Sequence, residues 1–176
     1  MDDLRYPVGA FEAPAAPLSP VQRAAYIDEL ERTPAALRAA VAGLGRDQLD
    51  TPYRPGGWTL RQVAHHVPDS HVNAYVRVCL ALTEDEPTIK PYAEDRWAEL
   101  KLARTAPVEM SLDFLDLVHQ RLVLVLREIT STEWARRLRH PERGVVDLDW
   151  MLAQYEWHGR HHVGHVSSLR RRMGWA

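Results

Sequence analysis

Hydrophobic residues recur along most of the chain at intervals of three and four, which is the period of an amphipathic helix. Four segments show this spacing, for example the segment from Leu112 to Ile129. The strict alternation that is typical of strands is nearly absent, although Val145-Val146 could form a short strand. We therefore predict an all-α fold, a four-helix bundle with long crossover loops.

Serine and threonine mark the beginnings of the first two helices. Ser19 stands three residues before Gln22, and Thr59 stands three residues before Gln62, which is the spacing of a capping box. The first helix should be kinked or split at Pro34, because proline removes a backbone donor and crowds the preceding turn.

The second helix is expected to run to about Thr83 and to bend at Pro68. A polar, proline-bearing link follows over residues 84–107, with one helical stretch over residues 95–102. A link of this length allows helices that are consecutive in sequence to be separated in the bundle.

The remaining boundaries complete the predicted organisation. Ser111 is the expected cap of the third helix, and the fourth helix should run from about Asp149 to about Met173. Residues 1–18 are proline-bearing and lack periodicity, so we predict an extended N-terminal arm there. Residues 19–176 then form a single bundle domain.

Composition narrows the functional class. The chain has 176 residues, is 45% hydrophobic and has a formal net charge of −2, so it lacks the basic excess of a nucleic-acid-binding protein. No apolar run approaches the ~20 residues of a membrane-spanning helix, and the N-terminus lacks the apolar stretch of a secretory signal. Cys79 is the sole cysteine and cannot form an internal disulfide. These features predict a cytoplasmic protein with no membrane or nucleic-acid partner.

Nine histidines are the distinctive feature, and four of them lie on the predicted fourth helix. His158 and His162 are four residues apart, as are His161 and His165, so either pair could share a metal ion. On a helical wheel of ~100° per residue, His162 lies ~20° and His158 ~60° from the apolar direction. His165 lies ~80° and His161 ~120° away, so the wheel favours His158 and His162 as the inward pair.

The second helix offers His65, His66 and His71 as a third ligand. They lie ~160°, ~100° and ~40° from its apolar stripe, so periodicity alone favours His71. The expected bend at Pro68 leaves the choice between His66 and His71 open. A lone inward histidine is usually a hydrogen-bonded core residue, but burying several imidazoles without partners would cost a few kcal/mol. The spacing therefore favours a metal site.

Several motifs together resemble the DinB/YfiT-like family of metal-binding four-helix proteins. They are Tyr6-Pro7-Val8-Gly9, Gln48-Leu49-Asp50-Thr51-Pro52-Tyr53-Arg54, Gly56-Gly57-Trp58-Thr59, His65-His66, Asp69-Ser70-His71, Arg77, Trp97, Leu100-Lys101, His140-Pro141 and Arg171-Arg172-Met173-Gly174-Trp175. The resemblance covers nearly the whole chain. Pro68 departs from it, since a helix-forming residue is expected at that position.

The resemblance also implies a ligand set. The family places a metal-binding histidine eight residues after the tryptophan that opens the helix, and eight residues after Trp58 is His66. Its second motif, two histidines separated by three residues, falls on His158 and His162. His165 stands where many relatives carry glutamine, which suggests a residue that supports the ligands or faces the substrate.

The family's activities supply two functional expectations, and the chemistry of the ligand set leaves a third open. The first is a metal-dependent hydrolase that activates a metal-bound water, with zinc as the ion and nickel or another transition metal as the alternative. The second is a bacillithiol-type thiol S-transferase that holds a low-molecular-weight thiol as thiolate. The third is a structural or sensory metal site closed by His71 or His165 as a fourth ligand. The resemblance further implies a small-molecule substrate and a homodimer.

Four side chains are candidates for catalysis or substrate binding. Asp69, on the same helix face as His66, could assist catalysis, or it could be a solvated carboxylate. Tyr155 could donate a hydrogen bond near the metal, or it could be a core tyrosine. His165 is the third catalytic candidate. Arg54, in the loop before the second helix, could bind an anionic thiol or carboxylate, or it could be a surface arginine.

Overall fold

The computed structural model describes residues 4–175, so residues 1–3 of the predicted arm and residue 176 of the predicted domain lie outside the described part. Its elements, in chain order, are α1 (Pro20–Val41), α2 (Arg46–Leu49), α3 (Leu60–Thr83), α4 (Glu94–Ala98), α5 (Lys101–Thr105), α6 (Val108–Glu128), a 3-10 turn (Glu133–Ala135), β1 (Arg137–His140), β2 (Gly144–Asp147) and α7 (Leu148–Met173). Four of the helices are long and form the bundle, which confirms the predicted all-α architecture.

Capping explains where the first two long helices begin. The backbone N–H of Gln22 donates to Ser19, and that of Gln62 donates to Thr59, while each glutamine side chain accepts from the backbone of its cap. Both capping boxes are therefore formed as predicted. Pro34 lies inside α1 without splitting it.

The predicted start of the third long helix was wrong. α6 begins at Val108 after Pro107, whose fixed φ of −59° suits a helix entry. Ser111 is already inside the helix and buried, where its hydroxyl contacts Nδ1 of His65 at 2.6 Å.

The links also differ from the sequence-based expectation. The stretch over residues 95–102 is not one helix but parts of α4 and α5, which are separated at Glu99 and Leu100. Val145-Val146 does form a strand, and it pairs with β1 in a two-stranded antiparallel sheet.

Two apolar clusters fill the bundle, and their order along the helices defines its topology. The first cluster includes Leu30 and Val78, and the second includes Leu37 and Val63. The chain passes from the first cluster to the second along α1 and α7, and from the second to the first along α3 and α6. Helices α1 and α7 therefore run parallel to each other and antiparallel to α3 and α6.

The packing of the long helices is not sequential. Both α1 and α3 pack against α6 and α7, so α1 and α3 occupy opposite corners of the bundle. Because α3 and α6 run parallel, residues 84–107 must carry the chain back along the length of the bundle. This is the non-sequential arrangement that long crossover links allow.

The N-terminal arm packs along α7. The indole N–H of Trp157 donates to the carbonyl of Gly9 at 3.0 Å, and the ring of Phe11 lies edge-on to Trp150 at 5.5 Å. Gly164 permits this close approach, because a Cβ at that position would lie 3.0 Å from Pro7. The arm therefore covers the part of α7 that carries the histidines. Within residues 4–175, no helix combines the length and apolar character needed to cross a membrane.

Candidate metal centre

A layer of histidines separates the two apolar clusters. We call it the histidine layer, and it consists of His66 and His71 from α3, His119 from α6, and His158 and His162 from α7. On α3, for instance, the second cluster ends at Val67 and the first begins at Ala74, with His71 between them. The layer thus places five imidazoles at the middle of the bundle, where each needs a hydrogen-bond or metal partner.

Three of these imidazoles meet at one point. One ring nitrogen from each of His66, His158 and His162 lies within 4.8 Å of the other two. The Nε2 atoms of His66 and His158 are 3.1 Å apart. The ring centroids of His162 lie 4.8 Å from His66 and 4.5 Å from His158. The predicted trio is therefore brought together by two antiparallel helices.

The spacing of these nitrogens suits a tetrahedral metal ion. At the Zn–N distance of about 2.05 Å, two ligand nitrogens lie about 3.3 Å apart, close to the separation of the Nε2 atoms of His66 and His158. Imidazole nitrogens are ligands that zinc and other late transition metals prefer. The residues present therefore fit a divalent cation.

His158 is backed by two further histidines. Its Nδ1 lies 3.0 Å from Nε2 of His71, and Nδ1 of His71 lies 2.7 Å from Nε2 of His119. Nδ1 of His119 in turn donates to the carbonyl of Leu30 at 2.7 Å. This series of hydrogen bonds crosses the bundle from α7 through α3 and α6 to α1.

His162 is backed by His165. Their Nδ1 atoms are 3.3 Å apart, and Nε2 of His165 donates to the carbonyl of Arg5 in the arm at 3.1 Å. The ring of Tyr53 stacks on His165 with a centroid distance of 3.9 Å. The predicted catalytic candidate His165 thus contacts a member of the trio directly.

Burial keeps these imidazoles neutral. It lowers the pKa of His66 to about 3 and that of His119 to about 4. It also lowers the pKa values of His71, His158 and His162 well below the usual range, and the neighbouring imidazoles lower them further. Neutral rings present the lone pairs that a metal ion requires.

A second histidine group lies beside the trio. Ring nitrogens of His161, His162 and His165 also lie within 4.8 Å of one another, so the group shares His162 with the first. The ring of His161 stacks on Trp157 at 4.4 Å. Its Nδ1 is buried and has no hydrogen-bond partner in residues 4–175.

The trio lines a cleft with two lobes. The first lobe has a volume of about 520 Å³ and includes Arg77 and Tyr155 in its lining, and the second, of about 460 Å³, includes His66 and His162. His158 lines both lobes. Cavities of this size accommodate small molecules.

The other predicted side chains differ in whether they line the cleft. Arg54 lines the second lobe and donates to the hydroxyl of Tyr53 at 3.2 Å. Tyr155 is buried, and its hydroxyl accepts from Arg77 at 2.9 Å. Asp69 lines neither lobe, and burial raises its pKa to about 6.

Sequence reasoning missed two features of the site. His119 is absent from the predicted site, although it stands four residues after Leu115 and three before Leu122 and so continues the apolar face of α6. His65, placed opposite the apolar stripe of α3, is buried, because the link before α6 covers it: its Nε2 contacts the carbonyl of Ala106 at 3.3 Å.

Comparison with known proteins assigns the family. The model of the DinB superfamily matches residues 29–166, a range that contains every member of the histidine layer. The chain belongs to the DinB superfamily. The predicted resemblance is thereby confirmed.

Several relatives of this DinB protein match over nearly its whole length. A protein of Bacillus cereus (strain B4264), named "Putative metal-dependent hydrolase", is 47% identical over 99% of this chain and 100% of its own. A protein of Bacillus thuringiensis subsp. konkukian (strain 97-27) with the same description is also 47% identical over the same shares.

Solved structures agree with the fold. YfiT from Bacillus subtilis, described as "a probable metal-dependent hydrolase with an unusual four-helix bundle topology", superposes with a TM-score of 0.95 at 44% identity, over 98% of this chain and 99% of YfiT. The four-helix bundle protein TT2238 superposes with a TM-score of 0.51 at 23% identity, over 80% of this chain and 94% of its own. At that identity TT2238 supports the fold alone.

Proposed function

We propose that this DinB protein is a metal-dependent hydrolase whose single cation is held by His66, His158 and His162. The observation that carries the proposal is the convergence of three neutral imidazoles, those of His66 and His162 buried and that of His158 half-buried, at a cleft of small-molecule size. The descriptions of the full-length relatives support the same activity. Zinc is the ion proposed, because three imidazoles leave a coordination position open in many catalytic zinc sites.

When bound, such an ion supplies Lewis acidity, which polarises a carbonyl and lowers the pKa of a coordinated water or thiol. The protein's own contribution is to hold the three ligands neutral and in fixed orientation. We assign the orienting role to the imidazoles behind the trio rather than to Asp69, which lines neither lobe.

Tyr155 is the hydrogen-bond donor that we propose for the first lobe. Burial raises the pKa of its phenol, so the hydroxyl keeps its proton at neutral pH. Arg77 already donates to the same oxygen, so the proton of Tyr155 must go to another acceptor, and the hydroxyl of Ser70 is one such partner in this structure. A substrate carbonyl or leaving group in the first lobe could accept it.

Arg54 is the residue that we propose to bind an anionic part of the substrate in the second lobe. Its guanidinium lies over the ring of Tyr53 at 5.4 Å and donates to the carbonyl of Pro55 at 3.1 Å, so its orientation is constrained. Replacing Arg54 with alanine should raise KM for a carboxylate-bearing substrate and change kcat little.

The alternative function is thiol S-transfer at the same site. The cleft lining carries arginines, among them Arg54, Arg77 and Arg143, beside the carboxylates of Glu94, Asp95 and Glu142. A thiol that carries a carboxylate could bind at one of these arginines. A thiol would occupy the open coordination position as thiolate. The two functions share the trio and differ in whether a thiol is consumed.

One experiment separates the two functions. Zinc-loaded protein is assayed against a panel of esters and amides, and separately for consumption of low-molecular-weight thiols, with and without chelator. The proposal predicts cleavage that is lost with chelator and in H162A, and that needs no thiol. Thiol consumption with no cleavage would establish the alternative, and neither activity would contradict both.

We also propose that the protein forms a homodimer through α6. Apolar side chains at one side of this helix are exposed, namely Met110, Phe114, Leu117 and Leu124. They recur at helical spacing, so they form one stripe that a second copy could bury. Light scattering after size exclusion should give twice the chain mass of 20.1 kDa, and L117R should give the monomer mass. A monomeric parent protein would contradict the proposal.

A further inference from the structure

Two series of hydrogen-bonded histidines lie behind the trio, and we call them the histidine chains. In each of them the donor and the acceptor of every hydrogen bond can be assigned. A backbone carbonyl accepts hydrogen bonds and cannot donate them, so Nδ1 of His119 must carry the proton that binds Leu30. A neutral imidazole has only one N–H, which leaves Nε2 of His119 as an acceptor. Since Nδ1 of His71 is 2.7 Å from that atom, the proton between the two rings must belong to His71.

The same reasoning reaches the first ligand. Because the proton of His71 is on Nδ1, its Nε2 can only accept a hydrogen bond. The atom 3.0 Å from this Nε2 is Nδ1 of His158. His158 therefore carries its proton on Nδ1. Its Nε2, which points toward His66, is left with a free lone pair.

The second chain leads to the same state at the second ligand. The carbonyl of Arg5 requires the proton of His165 to be on Nε2. Nδ1 of His165 must then accept from Nδ1 of His162, 3.3 Å away. His162 is left with its lone pair on Nε2.

We propose that His119, His71 and His165 are positioning residues that fix His158 and His162 as Nδ1–H tautomers, so that both ligands present Nε2 to the cation. The proposal rests on the metal site of the proposed function, but not on which reaction that site performs. It deepens that site by assigning a role to three buried histidines that do not themselves bind the ion.

The direction of the chains also excludes the second histidine group as a competing site. That group would draw on the Nδ1 side of His162, because its member His165 lies on that side. In the proposed tautomer this atom carries a proton and is hydrogen-bonded to His165. A cation is thereby restricted to the point shared with His66.

Zinc affinity of variants tests the role of the longer chain. H119F keeps a ring in the cavity but removes the acceptor for His71, and it should weaken zinc binding by about 10-fold, at the lower end of what loss of an outer partner costs. H119Q retains an amide oxygen near the position of Nε2 and should restore affinity to within about 3-fold of the parent. H65F is the matched control, since His65 is equally buried but bonds to Ser111 and Ala106 away from the site.

The affinities are measured by competition with a chromophoric chelator, and folding is followed by circular dichroism. Weakened binding in H119F with normal binding in H119Q and H65F supports the proposal. Equal zinc affinity in H119F and the parent overturns it while leaving the metal site intact. A parent protein that takes up no zinc overturns the metal site itself, and this proposal with it.

Tautomers provide a second readout that needs neither a variant nor metal. Long-range proton–nitrogen NMR spectra of the ¹⁵N-histidine-labelled, chelator-treated protein report which ring nitrogen carries hydrogen. We expect Nδ1–H for His71, His119, His158 and His162, and Nε2–H for His165. Nε2–H at His158 or His119 would overturn the proposal, even if H119F fails to fold.

Discussion

Nε2 of His71 lies 3.0 Å from Nδ1 of His158, so a histidine that does not belong to the trio holds one that does. Hydrogen-bond contacts join four histidines of the layer in the order His66, His158, His71 and His119, and the fifth, His162, contacts His165, so the layer is not a set of isolated polar side chains. Buried polar groups that are paired in this way cost little stability, whereas unpaired ones cost about 1–3 kcal/mol each. The layer can therefore exist at the centre of the bundle without depending on the cation for its fold.

Metal removal should consequently leave the bundle folded. The two apolar clusters lie on either side of the layer and do not involve the cation, so helicity by circular dichroism should be unchanged by chelation. Zinc at 100 times its Kd stabilises by about 2.7 kcal/mol, so Tm should fall by roughly 5–10 °C. Collapse of the helical signal on chelation would instead indicate a structural ion.

The metal content should fall when His162 of the trio is replaced and should not change when the neighbouring His161 is replaced. His162 and His161 are adjacent and similarly buried, which makes them a matched pair. Elemental analysis should find about one zinc per chain in the parent and in H161A, and less than about a tenth of that in H162A. Two zinc ions in the parent, or loss of zinc in H161A, would contradict a single ion held by the trio.

The stability of the chelated protein should fall as the pH decreases from 7 to 5. In the unfolded chain a histidine takes up a proton near pH 6.5, whereas burial holds the pKa of His66 at about 3 and that of His119 at about 4. The unfolded state then binds more protons, so stability is full above pH 6.5 and is lost as the pH falls. Each imidazole that stays neutral contributes a slope of about 1.4 kcal/mol per pH unit.

The pH effect is read from urea unfolding at pH 7.5, 6.0 and 5.0. H119Q provides the control, because it has one titrating ring fewer and should show a shallower slope. A free energy of unfolding that stays constant across this range would show that the histidines are protonated in the folded protein as well.

Much of the fold could be predicted from sequence because its signals are local. The capping boxes at Ser19 and Thr59 depend on residues three positions apart, and they mark the helix starts correctly. The predicted start of α6 was wrong because the hydroxyl of Ser111, which could have served as a cap, instead contacts His65 on another helix. That contact depends on a tertiary arrangement that no local pattern contains.

In the candidate site, too, residues with a local signal were predicted, and burial that depends on tertiary contacts was not. The wheel identified His158 and His162 because α7 has a clear apolar direction, but it placed His161 on the solvent side. His161 is buried because the N-terminal arm lies over it, with the ring of Tyr6 6.0 Å away. A wheel records only one helix, so it cannot account for a segment more than 150 residues away that covers the same face.

The approach of α1 to α7 beside the site can be tested at one glycine. A Cβ at Gly159 would lie 2.7 Å from Oγ1 and 2.8 Å from Cγ2 of Thr33. G159A should therefore destabilise the protein by about 1–2 kcal/mol, since the overlap outweighs the gain of about 1 kcal/mol in helix propensity.

When Thr33 is also replaced, the effect of G159A on stability should change sign. In a T33A background the obstructing atoms are gone, and G159A should stabilise the protein by up to about 1 kcal/mol. Urea unfolding of the two single variants and the double variant measures this coupling. Equal effects of G159A in both backgrounds would show that Thr33 is not what excludes a side chain there.

The most direct test of the central claim is anomalous diffraction at the zinc edge from crystals of the zinc-loaded protein. The account predicts one anomalous peak per chain, bonded to His66 and to Nε2 of both His158 and His162, with a coordination position open to the cleft. A peak that lies between His161 and His165, or a zinc ion closed by a fourth protein ligand, would contradict it.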